Sequence, residues 1–239
     1  GFKWFINPEA EILVNLPILK GADQNDNLMI SGNTAETIEA GKGADVMMGR
    51  GGSDNYKINA GDTLAADGSA ATGSFGVEGD VINEIGGSSV DKSDAITLSS
   101  VKKIDELSFT RTEIANEYWG NTLKIDVTYN EGGGTDTLYV FDHYNQSQGF
   151  RAVEQLFLDD GWDADEIWNL IVGDLDESSQ IDEYEGTAGQ DVLIAGTKVS
   201  NLYGGDGQDI MIGDVYSKVT TFELGNRDDA WDKVADIIE

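Results

Sequence analysis

The chain has 239 residues, of which 45 are Asp or Glu and only 15 are Lys or Arg, giving a formal net charge of −30. That charge repels nucleic acid and anionic membrane surfaces, and its self-repulsion opposes compaction unless cations are taken up. There is no cysteine, which excludes disulfides, thiolate metal sites and thiol catalysis, and no apolar run is long enough for a transmembrane helix.

Residues 1–20 have no signal-peptide layout and begin with Gly, and they read as an N-terminal cap or a link to an upstream part of a longer chain. Trp4, Phe5, Ile12, Leu13, Val14 and Ile18 supply an apolar lid for whatever follows. From Gly21 to Lys57 the glycines and acids recur on a nine-residue beat: GADQNDNLM (21–29), an extra Ile30, SGNTAETIE (31–39), AGKGADVMM (40–48) and GRGGSDNYK (49–57). In this frame the sixth residue is an acid (Asp26, Glu36, Asp45, Asp54), and the eighth is apolar or aromatic (Leu28, Ile38, Met47, Tyr56). Early glycines let the backbone turn its carbonyls inward, and a carboxylate a few residues later adds a hard anionic oxygen, so each loop is half of a calcium cage. The residues after the acid form a short strand whose eighth position points into a core.

This pattern matches the G-G-x-G-x-D-x-U-x nonapeptide, and the chain resembles the RTX, or haemolysin-type calcium-binding, family. The resemblance implies an all-β fold: parallel β-rolls in which two nonapeptides make one turn, with a β-rich flank, caps and one or two short helices. Several calcium ions would be the cofactor. In the first array the implied metal residues are Gly21, Asp23, Asp26, Glu36, Gly41, Gly43, Asp45, Gly49, Gly51 and Asp54. Loops two repeats apart lie on the same side, which pairs Asp26 with Asp45 and Glu36 with Asp54. The Asp45 site is then the better one, because Glu36 is long and its loop has Thr34 where a glycine belongs.

From Ile58 to Leu98 the register decays into a small polar loop and two short apolar runs after Asp80 and Asp94, read as degenerate coils that complete a first roll over 21–100. Residues 101–173 form a β-rich flank. IDELSFTRT, NTLKIDVTYN, TDTLYVFDHYN and VEQLFLDDGW resemble the flank that closes the RTX block of secreted adenylate cyclase toxins, so that likeness covers 40–172. Leu123, Ile125, Val127 and Tyr129 alternate with polar residues as one strand of a hairpin, and Leu138–Phe141 return. Asp163 and Glu166 make a capping-box-like start to a short helix through Ile167, Trp168, Leu170 and Ile171, ending at Gly173.

The acidic run 174–185 reads as a linker or exposed edge. A second array follows within 174–239: GTAGQDVLI (186–194), AGTKVSNLY (195–203) and GGDGQDIMI (204–212). Its implied metal residues are Gly186, Ala188, Asp191, Gly204, Asp206 and Asp209, with Asp191 and Asp209 as same-side partners. Ser200 replaces the acid between them and weakens the other side. The tail with Trp231, Val234, Ile237 and Ile238 is a helical face or a capping strand.

The single histidine, His143, lacks the partners of a triad or zinc motif, and no catalytic motif accompanies it. The expected function is therefore a non-catalytic calcium-binding module of a large secreted or cell-surface bacterial protein, adhesin or toxin-like, that folds on calcium after type I secretion. Expected partners are calcium and the type I secretion machinery, with no nucleic acid. The alternatives are an adhesin module that grips a sugar or peptide, and the non-catalytic tail of an exoenzyme.

Overall fold

The computed structural model describes residues 12–14, 18–23, 27–73, 75–84, 93–112, 114, 122–129, 134–144, 152–158, 167–172, 181–196, 199–213, 220–223 and 233–235. Strands β3 (Leu28–Ile30), β4 (Thr37–Glu39), β5 (Val46–Met48) and β6 (Asn55–Ile58) each follow a turn loop. β3 pairs in parallel with β5, and β4 with β6, so strands two repeats apart are neighbours and successive strands alternate between two sheets. Alternate residues of a strand face the same side, and Met29, Ile38, Met47 and Tyr56, at matching positions of the four strands, are all 0% exposed. Strands β3–β6 form a parallel β-roll.

That inward column corrects the frame of the first repeat. Met29 lies opposite Met47, and Leu28, which is only half-buried, lies opposite Val46. Met29 is therefore the eighth residue, Asn27 the sixth and Ile30 the ninth, with no extra residue. Asp26 lies outside the described residues.

Strands β1 (Ile12–Val14) and β2 (Ile18–Lys20) pair in parallel with β3 and β4. They extend the two sheets by a further coil instead of lying across the end as a lid. Leu19 points into the core and Ile18 is 64% exposed; Trp4 and Phe5 are outside the described residues. After the loop 59–79, β7 (Asp80–Ile82) pairs with β5 and β8 (Ala95–Leu98) with β6, so the decayed segment does continue the coils. The hairpin strands β9 (Leu107–Thr112), β10 (Thr122–Thr128) and β11 (Thr135–Val140) are antiparallel, and β11 joins β7 to complete a seven-stranded sheet.

The expected helix through Ile167–Ile171 is instead a strand, β13, antiparallel to β12 (Gln155–Leu158) and parallel to β15 (Gln190–Ile194). Burial alternates along it, with Trp168 and Leu170 inward, and two edges to pair with outweigh a single turn of helical propensity. Asp163 and Glu166 lie outside the described residues. Among the described residues the only helical element is the 3-10 turn Ile104–Glu106, and no helix is long and apolar enough to cross a membrane.

The acidic run also differs from its expected role. Residues Ile181–Glu185 form β14, the first strand of a three-stranded sheet with β16 (Val199–Tyr203) and β18 (Thr220–Glu223). Asp182 and Tyr184 are buried there, nine residues before Asp191 and Leu193. β15, β17 (Asp209–Ile212) and β19 (Lys233–Ala235) run beside one another, and β19 settles the tail as a strand at that position.

One nine-stranded sheet, in the order β19-β17-β15-β13-β12-β8-β6-β4-β2, joins the two arrays. Trp168 and Leu170 share a face with Val192 and pack into the main core with Tyr56 and Ile96. Leu193 and Met211 point the other way, into a second core with Tyr184 and Leu202. The two rolls are thus built on opposite faces of a common sheet.

Candidate metal centre

The sixth positions stack into columns along the roll edges. On one side Asp45 Oδ1 accepts the backbone N–H of Asn27 at 2.7 Å, and Asp80 Oδ1 accepts that of Asp45 at 2.8 Å. On the other side Asp54 Oδ1 accepts the N–H of Glu36 at 2.9 Å, Asp94 Oδ1 that of Asp54 at 2.8 Å, and Glu154 Oε2 that of Asp94 at 2.9 Å. In the second array Asp209 Oδ1 accepts the N–H of Asp191 at 3.2 Å, and Asn169 donates to Asp191 Oδ1 at 2.8 Å. Asp45, Asp80, Asp54, Asp94, Glu154 and Asp209 each give one oxygen to the neighbouring coil's backbone, which fixes the side chain before any ligand arrives.

The second oxygens are the telling atoms. Glu36 Oε2, Asp54 Oδ2 and Asp80 Oδ2 are buried and accept no hydrogen bond among the described residues. A buried anionic oxygen without a partner costs several kcal/mol unless a cation or proton neutralises it. Asp136 is the contrast: Gly61 N–H at 2.7 Å, Thr63 Oγ1–H at 2.8 Å and Tyr129 Oη–H at 2.6 Å all donate to it, so that acid is satisfied by the protein alone.

The electrostatics agree. Burial, with Asp45 beside it, holds the Asp80 carboxyl well above the usual range. Burial pushes Asp54 up to about 8, with the charges of Asp94 and Glu36 adding to the effect. Burial also raises Glu84 strongly, reinforced by Asp94, Asp54 and Glu154, and raises Asp191. Burial thus disfavours the charged form of these groups, and a hard divalent cation with oxygen ligands is the chemistry that stabilises it.

The glycines shape the loops. Gly52 has φ of 129°, and a Cβ there would lie 2.1 Å from the Thr34 carbonyl oxygen of the coil two repeats back. Gly207 repeats this in the second array, with φ of 115° and a Cβ 2.2 Å from the Gly189 carbonyl. Gly41, Gly43 and Gly205 are also left-handed. In the fourth repeat the left-handed residues are Arg50 and Gly52, so Gly51 itself has no such requirement. Gly21, Gly186 and Gly204 pack against backbone or carboxylate oxygens, Gly21 against Ala40 and Gly186 against Gly204.

Not every expected ligand joins a column. Asp23 is exposed, with its Oδ1 accepting the Lys42 N–H at 3.4 Å, and Asp206 and Ala188 are exposed. The residue paired with Asp45 is Asn27, a neutral amide that also donates its Nδ2–H to Asp45 at 2.9 Å. The expected Asp26–Asp45 pair is therefore replaced by Asn27–Asp45, and the side holding Glu36, Asp54 and Asp94 carries the denser charge. Asp80, Asp94, Glu84, Glu154 and Asp182 were not expected as site residues. Asp182 was findable by counting nine back from Asp191, whereas Glu84 follows an insertion that erases the beat.

The Ser200 side of the second roll is built differently. Asp182 and Ser200 are buried, and the Ser200 hydroxyl accepts the Gly196 N–H at 3.1 Å. Arg111, reaching over from β9, donates to the Tyr184 hydroxyl at 3.1 Å and lies over the Tyr144 ring at 4.1 Å. A Cβ on Gly196 would come within 2.7 Å of Asp182 Oδ2 and 3.3 Å of Arg111 Nη1, so acid and guanidinium both border the space that this glycine leaves.

A family model of the RTX calcium-binding nonapeptide repeat matches residues 30–64 and 185–215, in four copies. The two arrays are RTX repeats. The ion these repeats take is calcium, and the buried second oxygens of Glu36, Asp54 and Asp80 fit it. The RTX match covers the regular parts of both rolls, whereas the Asp80 and Asp94 coils extend the columns beyond it. A search of the curated proteins gave no match.

Proposed function

We propose that the chain is a non-catalytic RTX module of a secreted or cell-surface bacterial protein, adhesin or toxin-like, that leaves the cell by type I secretion and folds when it meets external calcium. The observation that carries this reading is the pair of columns in which Asp54 on one side and Asp80 on the other each spend one oxygen on the next coil's backbone N–H and bury the second without a hydrogen bond among the described residues. Such columns repel when empty and cross-link coils when filled, so folding and calcium binding are one process. Sites of extracellular type bind at roughly 10⁻⁴ to 10⁻³ M, far above cytosolic calcium, which keeps the chain open inside the cell. When bound, the ion supplies charge neutralisation and shared ligation between coils; the chain supplies position-six carboxylates and the turned carbonyls of the glycine loops.

The environment of His143 supports the non-catalytic part. It is 1% exposed, its Nδ1 accepts the Val153 N–H at 3.3 Å, and burial with the nearby Arg111 pushes it down to about 3. A base held that low and sealed from solvent is a packing group. Circular dichroism of the chain in EGTA and in millimolar calcium tests the proposal: the β signal should appear only with calcium, and magnesium, which prefers a smaller octahedron and keeps its water, should not replace it. A full β signal in EGTA would refute it.

A further inference from the structure

We infer that Glu84 turns the Asp54 loop into a three-carboxylate calcium site outside the nonapeptide pattern, and that this site is the first in the chain to fill. The inference rests on the calcium-binding reading above and specifies one site within it. Met47 pairs with Ile82, and Asn83 N–H donates to the Met47 carbonyl at 2.8 Å, so the register carries Glu84 to the level of Gly49. Gly49 lacks the side chain that would fill that space. A Cβ on it would fall 2.4 Å from Glu84 Oε1, 2.6 Å from Asp54 Oδ2 and 2.3 Å from Tyr56 Oη, so these three oxygens converge on the gap that the glycine leaves.

The carboxylate of Glu84 is held there from two directions. The Tyr56 hydroxyl donates to Oε1, and the backbone N–H of the left-handed Arg50 donates to the same group. One oxygen each from Asp54, Glu84 and Asp94 lie within 4.8 Å of one another, and the three residues are only 1%, 2% and 5% exposed. Calcium takes oxygens at 2.3–2.6 Å, and ligands on opposite sides of such an ion stand at about that separation. The independent pointer is Asp54 Oδ2, buried, accepting no hydrogen bond and aimed into the cluster. On the opposite edge Asp45 and Asp80 share their column with the neutral Asn27. Calcium affinity rises with the number of charged ligands, so the three-carboxylate site outranks the two-carboxylate one.

Calorimetric titration of the full chain with calcium chloride, after stripping with chelator, tests this with three proteins: the unchanged chain, Glu84→Gln and Asp45→Asn. In Glu84→Gln the tightest binding event should weaken by about tenfold or more, while Asp45→Asn should keep it and lose affinity only in later events. A tightest event of the same affinity in Glu84→Gln overturns the inference. No calcium uptake by the unchanged chain would overturn the calcium-binding reading itself. Should Glu84→Gln fail to fold in saturating calcium, Tyr56→Phe decides, since it keeps all three carboxylates. Its tyrosine-sensitised emission from the first equivalent of terbium should fall if that ion sits beside the Tyr56 ring, and unchanged emission would overturn the placement.

Discussion

Gly52 and Gly61 both take left-handed φ, of 129° and 81°, but only at Gly52 would a Cβ strike backbone, 2.1 Å from the Thr34 oxygen; at Gly61 nothing lies within 4 Å. Gly61→Ala therefore carries only the left-handed penalty, about 1 kcal/mol, whereas Gly52→Ala must also push two coils apart and should cost upwards of about 3 kcal/mol. Urea unfolding in saturating calcium compares them, and equal losses would show that the loops do not stack this tightly. A second expectation concerns pH. Asp54, at about 8, and Asp80 and Glu84, also raised, bind protons more tightly folded than unfolded. Their contribution to stability without calcium is complete below the ordinary carboxylate pKa of about 4 and is lost as pH rises through each group's raised pKa, about 8 for Asp54. Because calcium must displace these protons, the calcium concentration at the midpoint of the β signal should fall between pH 5 and pH 9. In saturating calcium these groups should no longer lower the urea midpoint over that range, because the ion stabilises their charged form. A calcium midpoint that rises over the same range would contradict the assignment.

At the level of elements, the Arg111 strand is the clearest departure from the repeat plan. Its guanidinium stands where the second roll has Ser200 instead of an acid, bonded to Tyr184 and stacked on Tyr144. Replacing it by Leu should lower stability by about 2 kcal/mol through the lost hydrogen bond and cation–π contact, while the calorimetric calcium stoichiometry stays unchanged. A lost calcium equivalent would mean that a metal, and not the arginine, serves that side. Strands β3–β6 and β15–β17 were legible in the sequence because loop chemistry and strand burial share one nine-residue period. The first repeat was misframed because Asp26 and Asn27 are adjacent polar residues and Gly21 draws the frame one residue early; only the buried Met29 column resolves it. Asp182 was hidden by the charge around it, since alternate acids of β14 face solvent. The strand at Ile167–Ile171 was missed because five residues with an apolar pair at i and i+2 carry too little periodicity against a helix-start signal. Glu84 had no local signal at all: its role exists only once the fold sets it over Gly49.

Across the whole molecule, the hydrogen-bonded path from β2 to β19 passes through both arrays without a break. Coils that contact only their neighbours usually lose structure in stages, yet here the two rolls share β12 and β13 and the core around Trp168 and Leu170. Thermal unfolding in saturating calcium should therefore appear as one cooperative transition, and Asp209→Asn, although it lies in the second roll, should lower its midpoint for the entire β signal. Two separate transitions in scanning calorimetry, with only one displaced by Asp209→Asn, would contradict that coupling. The antiparallel pair β12–β13 lies inside the sheet, with β8, β6, β4 and β2 following on one side and β15, β17 and β19 on the other. Distance along the chain from this hairpin grows outward in both directions. Assembly on that plan resembles a crystal with a seed and two growth fronts, each coil laid down on the edge left by the last and fixed there by an ion, so that trimming either end removes the newest layer and spares the seed.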